Sequence, residues 1–221
     1  RRAHRLTACP WCAVAPSRPL TCDFVSDGGN YQSADGVLTW GSLNNATFMA
    51  TQLMVIATHP TDPNFTIGGT QDNRTEFYRP NGTWTRADFG DGGYAVIDQS
   101  SSSTTTVNMF HTYFNDVNNL QGYAFLTNGS TPAEGTWNFR GCQSSGTTTN
   151  GITCNGSILF YAPLEQGPGT PNTLYYGSDR LYRSADNGLN NTVVHQSPMT
   201  GCTAVSPIGF SNQDDTLLIV G

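Results

Sequence analysis

NTLYYGSDRLYRSADNGLNN, residues 172–191, is the stretch that decides the fold. Leu174, Tyr175 and Tyr176 form one short apolar run, and Leu181 and Tyr182 form a second. Gly177-Ser178-Asp179 lies between them. Two Tyr- and Leu-rich runs joined by turn residues predict a hairpin of a meandering sheet. A second turn follows at Ser184-Ala185-Asp186-Asn187-Gly188. Asp186 suits it because a carboxylate accepts hydrogen bonds from turn N–H groups, and Gly188 because glycine takes positive φ without steric cost.

The same element occurs earlier in the chain. Ser33-Ala34-Asp35-Gly36-Val37-Leu38-Thr39-Trp40 follows Asn30-Tyr31-Gln32 as SADNG follows LYR. Two reduced copies lie between, Asn81-Gly82-Thr83-Trp84 and Glu134-Gly135-Thr136-Trp137. Aligned on the Trp, the copies place Trp40, Trp84, Trp137 and Asn191 in register, at spacings of 44, 53 and 54 residues. A β-rich unit of about 40–55 residues has the period of a propeller blade. The sequence therefore predicts an all-β chain of four-stranded antiparallel propeller blades. Each segment before the aligned residue should be the third strand of a blade, and the aligned residue should open the fourth.

Working outward, residues 1–20 do not share this pattern and read as an irregular N-terminal extension. Residues 21–221 read as blades, beginning in mid-blade with CDFVSDGG, NYQS and LTWGSLN. Gln52–Thr58 is an apolar run fit for an inner, buried strand, followed by strands at Phe65–Thr70, Glu76–Tyr78 and Thr83–Arg86. The third blade runs from Tyr94–Asp98 to TWNF, with the polar tract Ser100–Thr106 as a solvated or O-glycosylated loop. The fourth is expected from Ser157–Tyr161 to just past Asn191, and a fifth from Thr203-Ala204-Val205 into Leu217–Val220. The count is about four blades and a partial one. A bare sheet edge would be left over, and native proteins normally cover such edges. The chain is thus expected to be a fragment, to have its missing blades supplied by another chain, or to close four blades with a strand from each terminus, and its exposed blade edges would allow self-assembly.

Composition supports this class and excludes others. The 221 residues include 24 Gly and 12 Pro, and no run resembles a long amphipathic helix. Net charge is −6, which argues against nucleic-acid or anionic-membrane binding, since both need basic surface. No apolar stretch approaches the roughly 18 residues of a membrane span.

Six cysteines are present. Cys142 and Cys154 bracket a polar loop without His, so a disulfide is expected rather than a metal site. Cys202, isolated between strands, is expected to pair with one of Cys9, Cys12 and Cys22, with Cys22 the first choice. Cys9-Pro10-Trp11-Cys12 has redox spacing but lacks the strand–helix context of that chemistry. Sequons begin at Asn45, Asn64, Asn73, Asn81, Asn128, Asn155 and Asn190, in keeping with a secreted, glycosylated chain. His4, His59, His111 and His195 are scattered and suggest no zinc site.

S-x-D-x-G-x-T-W resembles the Asp-box, or bacterial-neuraminidase repeat, of sialidase-like propellers. Ser184, Asp186 and Gly188 match it, while Asn190-Asn191 replaces Thr-Trp. Ser33, Asp35, Thr39 and Trp40 also match, with Val37 where glycine is expected. SDGGNYQSADG at 26–36, HPTDPNFTIGGTQDN at 59–73, GDGGYAVID at 90–98 and residues 161–188 resemble secreted sialidase-like repeat proteins grouped with glycosyl hydrolases. The resemblance implies that Ser33, Asp35, Trp40, Ser184, Asp186 and Gly188 are architectural. It does not imply sialidase activity, because the family's Arg-bearing N-terminal motif is missing. Arg180 and Arg183 lie beside a repeat turn, where they are expected to pack on the blade surface.

The functional candidates are acidic residues beside glycines. Asp27 precedes Gly28-Gly29, Asp91 precedes Gly92-Gly93, and Gln71, Asp72 and Asn73 follow Gly68-Gly69-Thr70. Glycine lets a ligand or a second backbone approach closely. Asp27 and Asp91 are the candidate acid and base of a glycoside hydrolase, and Gln71, Asp72 and Asn73 the candidate ligand contacts. The D-G-G setting also resembles the D-x-G-G of xyloglucan-cleaving double-propeller endoglucanases, which carries one more residue. Tight-turn chemistry explains D-G-G without any substrate, so a binding or structural module stands beside the enzyme. A Ca²⁺ site on Asp88, Asp91 and backbone carbonyls is the only cofactor suggested. The expected partner is a carbohydrate or another protein chain, outside the cell.

Overall fold

The computed structural model describes residues 12–14, 20–26, 29–43, 51–79, 81–115, 120–143, 150–168, 172–195, 203–211, 213–214 and 217–221. The chain divides into two compact units, Arg1–Gln52 and Leu53–Gly221. The first is one antiparallel sheet of β1 (Cys12–Val14), β2 (Cys22–Ser26), β3 (Gly29–Ser33) and β4 (Gly41–Ser42), in that order. Phe24 on β2 meets the rings of Tyr31 and Trp40 at 6.3 and 5.9 Å. The stretch 1–20 is therefore not wholly irregular, and the sheet does not begin in mid-blade. Cys12–Val14 pairs with Cys22–Phe24 as an outer strand. Three residues ahead of Pro16 are too short to show alternation, which is why the pattern missed them.

The second unit contains three four-stranded meanders and a hairpin. β5 (Leu53–His59), β6 (Asp62–Thr70), β7 (Arg74–Tyr78) and β8 (Trp84–Asp88) form one sheet. β9 (Gly92–Ile97), β10 (Val107–Tyr113), β11 (Gln121–Gly129) and β12 (Asn138–Cys142) form the next. β13 (Leu164–Gln166), β14 (Leu174–Gly177), β15 (Leu181–Ser184) and β16 (Thr192–His195) form the third, and β17 (Ile208–Phe210) pairs with β18 (Leu218–Val220). Trp84 opens β8, while Trp40, Trp137 and Asn191 stand one residue before β4, β12 and β16. The aligned residues thus mark the start of the fourth strand in all four sheets.

Apolar residues alternate so that both faces of the middle sheets are covered. Ala95 and Ile97 of β9 pack with Phe65, Ile67, Phe77 and Met109, while Val96 packs with Phe110, Tyr123, Leu164 and Tyr176. On β14, Leu174 and Tyr176 join that second cluster, and Tyr175 faces Leu181, Val205 and Ile208. Each core therefore lies between neighbouring sheets.

Three expectations for the strands need correction. Gln52–Thr58 is not a fully buried strand, because Met54 and Ile56 stay exposed while alternate residues turn inward. Ser157–Tyr161 is not a strand; the fourth sheet starts at Leu164, after Pro163, whose ring removes a ladder donor. Thr203–Val205 is likewise irregular, although the Val205 N–H donates to Ser178 O at 2.7 Å.

Cys142 and Cys154 are bonded, with Cα atoms 5.5 Å apart, across the connection from β12 to β13. Closing a loop of this length stabilises the fold by about 3 kcal/mol on the chain-entropy model. Cys22 is also disulfide-bonded, and Cys202, its expected partner, lies outside the described residues.

The two S-x-D turns share one hydrogen-bond plan. Ser33 Oγ donates to Asp35 Oδ1 at 2.8 Å, and Ser184 Oγ to Asp186 Oδ1 at 2.8 Å. The Val37 N–H donates to Ser33 Oγ at 2.9 Å, as the Gly188 N–H does to Ser184 Oγ at 2.8 Å. Thr39 N and Oγ1 donate to Asp35, and Asn190 N and Nδ2 donate to Asp186. Asn190 thus replaces Thr without loss of contacts. Hydrogen bonds from the Thr39 side chain, the Thr39 backbone and the Ser33 side chain hold the Asp35 carboxyl at about 2. At Asp186 burial opposes ionisation, but the Asn190 and Ser184 bonds outweigh it and keep the carboxyl below its ordinary range.

Val37 has φ of 67° where Gly188 has 79°. A left-handed backbone costs a β-branched residue roughly 1–2 kcal/mol. Val37→Gly is therefore expected to raise the stability of this sheet by about 1 kcal/mol, some of the relief being offset by glycine's larger entropy loss. Hydrogen exchange at the β3–β4 amides is the measurement, and faster exchange in the variant would contradict it.

Candidate functional site

Antiparallel meanders sort their connections by edge. In the second unit the β6–β7, β8–β9, β10–β11 and β12–β13 connections leave at one edge. The β5–β6, β7–β8, β9–β10 and β11–β12 connections leave at the other. Asp72 and Asp91 therefore share an edge, and the Asn81–Trp84 and Glu134–Trp137 turns lie opposite.

Gln71, Asp72 and Asn73 form the exposed β6–β7 turn, with Asp72 at φ 61° and Asn73 Nδ2 donating to Gln71 O at 3.3 Å. Asp91 is half-buried between β8 and β9, and its carbonyl accepts the Phe114 N–H at 2.9 Å. Both carboxylates act on Tyr161. Burial first, then the charges of Asp91 and Asp72, push the Tyr161 phenol up to about 12. The Tyr161 hydroxyl is buried without a hydrogen-bond partner among the described residues. The structure thus brings together two of the three acids singled out in the sequence. Asp27 lies outside the described residues.

The glycines beside these acids serve backbone packing between β6, β7 and β9. A Cβ on Gly69 would sit 1.9 Å from Gly93 O, and one on Gly92 would sit 2.6 Å from Arg74 O. On Gly93 it would meet Thr112 Oγ1 and the Tyr161 ring. Of the two readings offered by flanking glycine, a second backbone is the one that fills the space.

Aromatic rings complete this edge. Phe89, Phe114 and Phe160 are exposed by 52, 37 and 49%. Phe114 stacks on Phe160 at 5.8 Å, Phe160 meets Tyr161 at 4.8 Å, and Phe89 stacks on Tyr113 at 5.2 Å. Asn115 fixes the group from below. Its N–H donates to Phe160 O at 2.6 Å, its Nδ2 donates to Tyr113 O at 3.1 Å, and its Oδ1 accepts the Tyr176 hydroxyl at 3.2 Å. Sequence reasoning missed these rings. The dipeptides Tyr113-Phe114 and Phe160-Tyr161 are the only signals for them, and the second falls in the expected strand Ser157–Tyr161.

Asp88 is not available to a cation. Its Oδ1 accepts the Phe89 N–H at 2.9 Å, and its Oδ2 lies 3.0 Å from His111 Nε2 and accepts the Tyr113 hydroxyl. Thr75 Oγ1 stands 3.2 Å from His111 Nδ1. Thr75, Asp88 and His111 are buried almost completely. Burial and the bond to Asp88 raise the Tyr113 phenol well above its ordinary value. This Thr–His–Asp order resembles a nucleophilic relay, yet its hydroxyl faces protein rather than substrate, and it acts as a polar bolt between two sheets. Among the described residues no group of three or more His, Cys, Asp or Glu side chains is placed to hold a metal.

Two other carboxyls have raised values. Burial pushes Glu165 on β13 up to about 7. Burial also raises Glu76 on β7, against the charges of Arg74 and Arg86. Neither stands in a motif.

No protein-family model matches this chain, and no curated protein matches it. Solved structures do. An ancestral GH74 enzyme aligns over 91% of this chain and 26% of its own, at 12% identity and a TM-score of 0.54. The fold is a β-propeller. YCF48 bound to a D1 peptide aligns over 86% of this chain and 55% of its own, at 13% identity and a TM-score of 0.45. A GH74 xyloglucanase from Xanthomonas campestris aligns over 82% and 29%, at 14% identity and 0.44. The chain spans between about a quarter and about a half of these propellers. Such identities speak to architecture alone.

Among the described residues no helix is long and apolar enough to cross a membrane. The turns at Ser33–Thr39 and Ser184–Asn190 occupy the third-to-fourth-strand hairpins of their blades. Asp35 and Asp186 spend their oxygens inside those turns.

Proposed function

We propose that this chain is a ligand-binding propeller of a secreted protein, that its ligand is a carbohydrate, and that it belongs with the sialidase-like repeat propellers. The observation that carries the reading is the exposed aromatic group Phe89, Phe114 and Phe160 beside Asp91 and Asp72 on one blade edge. Flat rings receive the C–H faces of pyranose sugars, and carboxylates accept hydrogen bonds from sugar hydroxyls. Few charged residues and a net charge of −6 suit a neutral glycan better than an anionic one. The Cys142–Cys154 bond supports an oxidising compartment outside the cytosol. The S-x-D turns support the repeat family.

Affinity electrophoresis on a panel of neutral plant and bacterial polysaccharides tests the reading. Retardation by at least one glycan is expected. Phe114→Ala combined with Phe160→Ala is expected to weaken it about five- to thirtyfold, because a stacking platform contributes on the order of 1–2 kcal/mol. Unchanged retardation in the double variant would remove the platform from the site.

A glycoside hydrolase is the second reading, favoured by the joint action of Asp72 and Asp91 on the buried Tyr161 hydroxyl. On that reading Asp91→Asn abolishes hydrolysis of a glycan that the protein still binds, with Asp27→Asn testing the other acid. Binding that survives with no hydrolysis by the wild-type chain leaves the module non-enzymatic.

A further inference from the structure

Six of the seven sequon asparagines lie among the described residues, and all six are exposed: Asn64, Asn73, Asn81, Asn128, Asn155 and Asn190. They differ in what their sequon hydroxyls do. The Thr66 hydroxyl contacts Thr58 Oγ1 and donates to Pro63 O. The Thr75 hydroxyl is buried against His111, and the Thr192 hydroxyl donates to Arg183 O. At Asn81 alone among the described residues does the sequon threonine turn back on its own asparagine. Thr83 Oγ1 donates to Asn81 Oδ1 at 2.7 Å, and the Thr83 N–H donates to the same oxygen at 3.2 Å.

We propose that Asn81 is an N-glycosylation site, with its first sugar seated beside the Tyr78–Trp84 ring pair. The local geometry suits the transfer. A hydroxyl and an N–H on Asn81 Oδ1 draw electron density from the carbonyl and fix the amide plane. The contact spans two residues, so it forms in the nascent chain without the rest of the blade. The co-reactant is an oligosaccharide linked to a lipid through pyrophosphate. The Asn81 Nδ2–C1 bond forms, the C1–O bond to pyrophosphate breaks, the amide loses one proton to a base of the transferase, and lipid pyrophosphate leaves. The Arg79 N–H donates to Thr83 O at 2.8 Å, and the Gly82 N–H donates to Arg79 O at 2.9 Å, so Asn81 stands at the tip of a closed hairpin. Tyr78 and Trp84 are register partners at its base, with ring centroids 5.2 Å apart. That pair offers an apolar face to the first N-acetylglucosamine.

The site lies on the β7–β8 connection, at the edge opposite Asp72, Asp91 and Phe114. A glycan there leaves the proposed binding edge open, and the inference does not depend on what that edge binds. Six exposed sequons and a formed disulfide both suit passage through an oxidising secretory compartment.

The test is secretion of the full chain from a eukaryotic cell line. Enzymatic release of N-glycans in heavy-oxygen water and peptide mass spectrometry then follow. The Asn81 peptide is expected to carry the labelled aspartate in most molecules. Asn81→Gln and Thr83→Ala should each remove that label alone, and Thr83→Ser should restore it in part. Proton spectra of the variants confirm the fold. An unlabelled Asn81 in the secreted wild-type chain overturns the proposal, whether or not other sequons are labelled.

Discussion

Asp88→Ala is expected to destabilise the second unit by about 3–5 kcal/mol, measured by urea unfolding at neutral pH. The substitution removes the acceptor of the Phe89 N–H, of the Tyr113 hydroxyl and of His111 Nε2 at once. His111 and Thr75 are sealed from water, so no solvent replaces the lost partner. The comparison variant is Glu134→Ala. It breaks an ion pair to Arg86 of 2.6 Å, but both side chains are well exposed and the cost should stay below about 1 kcal/mol. Equal effects in the two variants would mean that the buried group does not bolt its sheets together.

Glu165→Gln is expected to stabilise the protein by about 2 kcal/mol at pH 8 and to be neutral near pH 4, so its advantage appears only as pH rises. Burial raises the Glu165 carboxyl from 4.5 to about 7. The folded chain therefore keeps a proton that the unfolded chain gives up above about pH 4.5. Stability falls between pH 4.5 and 7, and the full penalty stands above 7. The shift corresponds to about 3 kcal/mol, and partial solvent access reduces it to about 2. Thermal melting of both proteins across this range is the measurement. Parallel pH profiles would show that Glu165 is solvated.

The sequence made the blades legible because their third-to-fourth-strand hairpins depend on local chemistry. Ser33, Asp35, Ser184 and Asp186 meet their partners within four residues, and so leave a readable string. The aligned Trp84 and Trp137 mark fourth strands for the same reason, although Trp137 reaches sideways to donate to Ala87 O at 2.9 Å. The bolt was not legible. Thr75 and Asp88 are register partners on β7 and β8, but His111 comes from β10 of the next sheet, and no spacing connects it to them. Cys12–Val14 was missed because three residues cannot show a period. The glycines of D-G-G were noticed but left open between a ligand and a backbone, since composition cannot say which approaches. The edge bearing Phe114 and Phe160 emerged only when two loops from neighbouring blades were brought side by side.

The placement of the apolar clusters between sheets has a consequence for how such a chain grows. No sheet of the second unit owns its core. Among the described residues, β5–β8 shares one cluster with β9–β12, β9–β12 a second with β13–β16, and β13–β16 a third with the β17–β18 hairpin. Stability then behaves as a sum over neighbouring pairs, as in a one-dimensional lattice. Duplicating a whole blade adds one new pair and breaks none, whereas inserting a single strand reverses every later face. Evolution can therefore lengthen this architecture cheaply only in steps of four strands, which is the spacing that Trp40, Trp84, Trp137 and Asn191 still record.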